Sequence, residues 1–205
     1  MKLEDALRVL AEDLSLDAEE LIAYAAEDDE TGWDFGQGTW PCGSMFASEG
    51  KILYALTRAM RPAAVLEFGT MFGCSAKHIL KALVVNKHGK LVSVDPAPQV
   101  IEDRFNATEG RRWKRIVGDG ETAKLSIETA DIVLEDAIHS AEMTEALVRR
   151  GLDLGARIML SHDGAHNLVG QAVRDGFSRA AGDFKILCTE DSDCGFAYTV
   201  RPGGA

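Results

Sequence analysis

Two short runs concentrate ionisable side chains. They are Glu135-Asp136-Ala137-Ile138-His139-Ser140 and Ser161-His162-Asp163-Gly164-Ala165-His166. Each follows an apolar run of strand length, residues 130–134 and 157–160. If those runs are adjacent parallel strands, Asp136, His139, His162 and Asp163 converge at the carboxyl edge of a sheet, where open α/β sheets bind ligands. Two carboxylates and an imidazole can hold one divalent ion and leave positions open. Such an ion lowers the pKa of a bound hydroxyl. A neutral imidazole beside it can then take the proton. Asp136, His162 and Asp163 are the candidate metal ligands and His139 is the candidate base. His166 falls in the first turn of the next helix, at the surface.

The elements that must position these groups begin with residues 63–76, Ala-Ala-Val-Leu-Glu-Phe-Gly-Thr-Met-Phe-Gly-Cys-Ser-Ala. Residues 63–68 read as a buried parallel strand carrying one acid, Glu67. Gly69 and Gly73 follow. Ser75 then opens a helix with Ile79, Leu80, Leu83 and Val84 on one face. Strand, glycine turn and helix form the opening unit of a nucleotide-type site. The glycines admit backbone close to a ligand, and the helix start offers free N–H groups. A dinucleotide fingerprint needs Gly-x-Gly-x-x-Gly. Here the spacing is Glu67-x-Gly69-x-x-x-Gly73, which disfavours a nicotinamide oxidoreductase.

This spacing resembles motif I of the class I S-adenosylmethionine-dependent methyltransferases, and the resemblance covers residues 48–200 in layout. Asp95 ends the next strand, 91–95, about twenty residues beyond the glycines, where an acid can accept both ribose hydroxyls. It also reads as a helix N-cap ahead of Pro96 and Pro98. Asp119, between Gly118 and Gly120 after strand 113–117, resembles the family's adenine contact; turn chemistry also selects that triplet. The resemblance implies that Glu67, Gly69, Thr70, Gly73, Ser75, Asp95, Asp119 and Asp136 hold S-adenosylmethionine. Asp136-Ala137-Ile138-His139 is similar to the Asp-x-x-His of metal-dependent O-methyltransferases acting on catechols and macrolide sugars. Their next strand ends in two acids, where this sequence has His162-Asp163. Histidine there favours iron, manganese or zinc over magnesium.

The 205 residues carry a net charge of −11, with 46% hydrophobic and 27% charged residues. That suits one globular domain and disfavours a nucleic-acid backbone or anionic membrane as partner. The basic cluster Arg111, Arg112, Lys114 and Arg115 reads as a solvated face. The N-terminus does not read as a signal peptide. No run reaches the roughly 18 apolar residues of a membrane span. Cys42, Cys74, Cys188 and Cys194 lack metal-ligand spacing. They read as free thiols of a cytoplasmic protein, Cys188 and Cys194 on neighbouring strands.

The expected fold is α/β: a Rossmann-like, doubly wound, mostly parallel seven-stranded sheet with a C-terminal antiparallel hairpin. Residues 1–47 form a helical cap or dimer surface plus an aromatic loop bearing Trp33, Phe35 and Trp40, which pins to the core or closes as a lid. Residues 48–205 form the cofactor-binding core. Further helices are expected at 48–60, 99–108 and 167–181, with strands at 183–188 and 195–200. The expected function is methyl transfer to a hydroxyl of a small molecule, assisted by a divalent metal. The apolar N-terminal helices make a homodimer the expected assembly. Alternatives are a metal-dependent hydrolase or oxygenase using the His/Asp cluster, and a non-catalytic nucleoside-binding relative.

Overall fold

The computed structural model describes residues 1–29, 45–100 and 102–201. The aromatic loop with Trp33, Phe35 and Trp40, and also Cys42, lie outside the described residues. Helices α1 (Leu3–Leu14) and α2 (Ala18–Glu27) come first, with Asp17 accepting from Glu20 N at the start of α2. Then follow α3 (Ala47–Met60), β1 (Ala64–Phe68), α4 (Cys74–Asn86), β2 (Lys90–Asp95), α5 (Ala107–Arg111), β3 (Trp113–Val117) and β4 (Ile132–Glu135). The last elements are α6 (Ala141–Asp153), β5 (Ile158–His162), α7 (Gly170–Ala181), β6 (Lys185–Leu187) and β7 (Phe196–Val200).

The seven strands order as β3-β2-β1-β4-β5-β7-β6. The first five of these are mutually parallel, while β7 runs antiparallel to both β5 and β6. Strand order reverses between β1 and β4, which opens a crevice at their carboxyl ends. Alternation along the strands separates two cores. Val65, Leu134 and Leu160 face α1 to α4, whereas Leu66, Val133 and Met159 face α6 and α7. Leu7, Leu10 and Leu14 of α1 belong to the first core, so the N-terminal helices are continuous with the sheet packing. No helix among the described residues is long and apolar enough to cross a membrane.

Several boundaries differ from the sequence expectation. The helix expected at 99–108 is replaced by a 3-10 turn at Glu102–Arg104 and the short α5. Asn106 causes the break: its side chain accepts from Thr108 N and Glu109 N, starting a new helix. Helix α7 starts at Gly170, not at 167, because His166 Nδ1 accepts from Leu168 N and Val169 N ahead of it. Strand β5 runs two residues further than expected, pairing His162 with Phe196. Cys188 and Cys194 flank the turn between β6 and β7 and are not in the paired strands. The basic cluster sits on the exposed edge around β3, where Arg115 pairs with Glu102.

Glu67 ties three elements beneath the crevice. It is fully buried in β1. Its carboxylate accepts from Ser75 Oγ of α4 at 2.5 Å, Ser93 Oγ of β2 at 2.6 Å and Thr70 Oγ1 of the intervening loop at 3.3 Å. Trp113 Nε1 of β3 donates to the same Ser93 oxygen. Burial raises the Glu67 carboxyl from 4.5 to about 7, although the Ser75 and Ser93 hydroxyls pull it down. The folded chain therefore holds a proton that the unfolded chain has released. That contribution to stability is complete below pH 4.5 and is lost as pH rises through 7. Glu67→Gln should flatten this decline by on the order of 3 kcal/mol in denaturant titrations run from pH 4.5 to 8. An unchanged pH slope would mean that Glu67 is ionised in the fold.

Candidate functional site

The loop between β1 and α4 turns tightly, with Gly73 N donating to Thr70 O at 2.7 Å. Gly69 has φ +87°, and a Cβ there would lie 1.9 Å from the carbonyl oxygen of Asp136. Backbone thus crosses backbone, joining the glycine loop directly to the loop after β4. Gly73 also has positive φ (+89°) and starts α4 as its N-cap. Asp95 holds this loop from the end of β2. Its Oδ2 accepts from Thr70 N at 2.8 Å and Met71 N at 2.9 Å, and its Oδ1 accepts from Ala97 N at 2.7 Å. Asp119 is exposed, and its Oδ1 accepts from Glu121 N and Thr122 N in a local turn.

A cleft enclosing about 110 Å³ brings the two halves of the site together. Its walls include Gly69, Thr70, Ser75, Asp136, His139 and Asp163. Glu67 lies beneath it. Gly73, Asp95 and Asp119 are not part of its wall, and Asp95 reaches it only through the loop that it holds. A larger cavity of about 760 Å³, bounded by Asp13, Arg157 and Tyr198, lies at the opposite, amino edge of the sheet. It contains none of the candidate residues. The chemistry therefore points to the smaller cleft.

Asp136, His139 and Asp163 line the cleft, and Glu135 and His162 are buried beside them. His139 Nε2 lies 2.8 Å from Asp163 Oδ2, and its Nδ1 is buried with no hydrogen-bond partner among the described residues. Burial lowers the His139 pKa, but the Asp163 bond and the charge of Asp136 outweigh it and hold it above its ordinary value. Asp163 is held below the usual carboxylate range: its burial is outweighed by the His139 bond and the His162 charge. Asp163 adopts φ +60°, a left-handed conformation that aspartate tolerates better than most side chains. Glu135, fully buried, is pushed up to about 6 by burial, partly offset by its bond from Ser161 Oγ.

His162 is 3% exposed and spans two carboxylates, with Nε2 2.9 Å from Glu49 Oε2 and Nδ1 3.2 Å from Asp136 Oδ1. Ionised carboxylates only accept, so a charged ring donates to both partners and a neutral ring to one. Burial opposes that charge, but Asp136 and Glu49 raise the His162 pKa well above its ordinary value. Sequence reasoning does not single out Glu49. It lies in the first turn of α3, 1% exposed, and also accepts from Ser192 Oγ, Gly195 N and Phe46 N. The only sequence signal is an acid three residues after Phe46, the far half of a capping box whose near half is not Ser or Thr. Cys194, expected on a strand, instead stands beside Asp163 and His162.

No family model matches the sequence, and no curated protein matches it. Solved structures do. A methyltransferase of Podospora anserina, bound to S-adenosylhomocysteine, superposes with a TM-score of 0.63 at 18% identity, covering 90% of this chain and 95% of that one. The O-methyltransferase of tomaymycin synthesis from Streptomyces achromogenes, in complex with S-adenosylmethionine, gives 0.61 at 22% identity, covering 90% of each chain. The TDP-rhamnose 3′-O-methyltransferase of calicheamicin biosynthesis, an apo structure, gives 0.59 at 14% identity, covering 98% and 94%. This is the methyltransferase fold. The expected architecture holds down to the C-terminal antiparallel hairpin, and the cleft sits in the crevice between β1 and β4.

The crossing at Gly69 can be separated from ordinary backbone strain. Gly155 has nearly the same φ, +85°, with nothing within 4 Å of where a Cβ would stand. Gly155→Ala should cost only the left-handed penalty, about 1–2 kcal/mol. Gly69→Ala should cost at least about 2 kcal/mol more, because it displaces the Asp136 backbone. Equal losses in urea denaturation would show that the crossing is soft.

Proposed function

We propose that this protein transfers a methyl group from S-adenosylmethionine to a hydroxyl of a small molecule. One observation carries this reading: the glycine loop and the Asp136, His139 and Asp163 side chains line the same cleft. S-adenosylmethionine would supply an electrophilic methyl on sulfonium. Gly69, Thr70, Gly73 and Ser75 would hold its amino-acid portion, with Glu67 keeping their loop closed. Asp95 would take the ribose and Asp119 the adenine edge. Asp95 keeps lone pairs beyond those used by the loop. The likeness to cofactor-bound methyltransferases supports the assignment.

The base is His139. Asp163 would hold Nε2–H, leaving Nδ1, which has no hydrogen-bond partner among the described residues, as the nitrogen to take the acceptor's proton. Asp163 also stabilises the imidazolium that results. Asp136 Oδ1 and Asp163 Oδ2 lie 3.2 and 3.6 Å from His162 Nδ1, a donor set that would suit a divalent cation, whose chemistry would be Lewis-acid polarisation of the acceptor oxygen. Ile138, 66% exposed, and Leu168, 86% exposed, offer apolar surface on the segments flanking the cleft, suited to the non-reacting face of a small acceptor.

Calorimetric titration with S-adenosylhomocysteine tests the cofactor assignment. Micromolar binding, lost in a folded Asp95→Ala variant, is the expected result. Absence of binding at millimolar ligand would overturn the methyltransferase reading. Transfer from methyl-labelled cofactor to a panel of catechols and nucleotide sugars tests the base. His139→Ala should lower turnover by about 10²–10⁴, with affinity for S-adenosylhomocysteine retained. The neutral imidazole is the active form, so kcat/KM should climb with pH through a limb that His139→Ala abolishes. A flat profile would remove His139 from the role of base.

A further inference from the structure

The turn between β6 and β7 brings a sulfur donor beside Asp163, which lines the cleft. Ligand atoms of His162, Asp163 and Cys194 all lie within 4.8 Å of one another. Those of Asp136, His139 and Asp163 do so as well, so Asp163 is common to both groups. Asp136 Oδ1 also stands 3.2 Å from His162 Nδ1. The placement of Cys194 is held by bonds on either side: Ala165 N donates to its carbonyl at 2.7 Å, and its own N donates to Ser192 Oγ at 3.0 Å.

Glu49 supplies an independent observation. Metal-ligating histidines characteristically give their second ring N–H to a carboxylate, which fixes the tautomer and the ring plane. His162 Nε2 has that partner in Glu49 Oε2 at 2.9 Å, while Nδ1 faces Asp136 and, at 3.6 Å, Asp163 Oδ2. The other oxygen of Glu49 accepts from Ser192 Oγ at 2.6 Å and Gly195 N at 2.8 Å, so one carboxylate orients the imidazole and anchors the turn that presents Cys194.

We propose that His162 Nδ1, Asp163 and Cys194 Sγ, closed by Asp136, form a site for a borderline transition ion such as zinc(II) or iron(II), and not for magnesium. This deepens the metal part of the function proposed above and rests on it. Imidazole and thiolate donors select such ions, whereas magnesium requires oxygen ligands. Coordination releases one proton from His162 Nδ1 and one from Cys194 Sγ, and Nε2–H stays on Glu49.

Cobalt(II) is the probe. Added to chelator-treated full-length protein, it should give visible bands of a low-coordinate ion and a near-ultraviolet sulfur-to-cobalt absorption. Zinc(II) should displace it at stoichiometric concentration, and millimolar magnesium should not. Cys194→Ser should lose the near-ultraviolet absorption, and Cys188→Ser should keep it. Glu49→Gln, which replaces no ligand, should weaken cobalt binding about 10–100-fold. Cobalt binding without the sulfur absorption, or displacement by magnesium, would overturn the proposal in favour of an oxygen site. No cobalt binding would overturn it in favour of His162 as a permanent internal cation. Titration of S-adenosylhomocysteine into the same metal-free sample separates these failures from failure of the methyltransferase reading.

Discussion

A buried imidazole held between two acids organises this molecule. His162 sits in β5, Glu49 in α3 and Asp136 after β4, and the three meet where almost no solvent reaches the ring. A charge in such a place is tolerable only when paired, and removing one partner of a buried pair typically costs about 3–5 kcal/mol. The three elements are therefore held in one register by electrostatics as well as by packing. Glu49 extends the constraint to the β6–β7 turn through Ser192 and Gly195. Movement of α3 would alter the cleft floor and the turn together.

The glycine loop is fixed from the opposite side by a separate set of hydrogen bonds. Asp95 holds the amides of Thr70 and Met71, and the protonation-prone carboxyl of Glu67 collects the hydroxyls of Thr70, Ser75 and Ser93. The two networks touch where Gly69 passes under the Asp136 carbonyl. Preorganisation of this kind would serve the proposed methyl transfer, in which positioning and electrostatics supply most of the rate. The groups that would handle the proton, His139 and Asp163, hold each other directly, Asp163 from a left-handed backbone position just past β5.

Much of this was legible in residue order because it depends on local rules. Apolar runs of strand length, glycines at a strand–helix turn, and acids at strand ends follow from backbone geometry and burial. They located β1 to β5, the glycine loop, Asp136, His139 and Asp163 within a few residues. The final hairpin followed from the short polar turn between two apolar runs, which excludes a parallel crossover. Asn106 shows the limit of the same method. Its capping of a short helix outcompeted the continuous helix expected across it.

By itself, then, the sequence determined the sheet, its carboxyl edge and the residue types gathered there, because those are properties of neighbours along the chain. Tertiary structure alone decided what each side chain touches. Glu49 lies 113 residues from His162 along the chain, and Ser192 lies 143 from Glu49, so no spacing rule relates them. Two residues of β5 beyond the expected strand place His162 within the sheet, buried and with both nitrogens engaged. The same pairing of β5 with β7 brought Cys194 beside Asp163. Side-chain partners across a sheet are set by register and by loops that return from far away, and these are fixed only when the whole core packs.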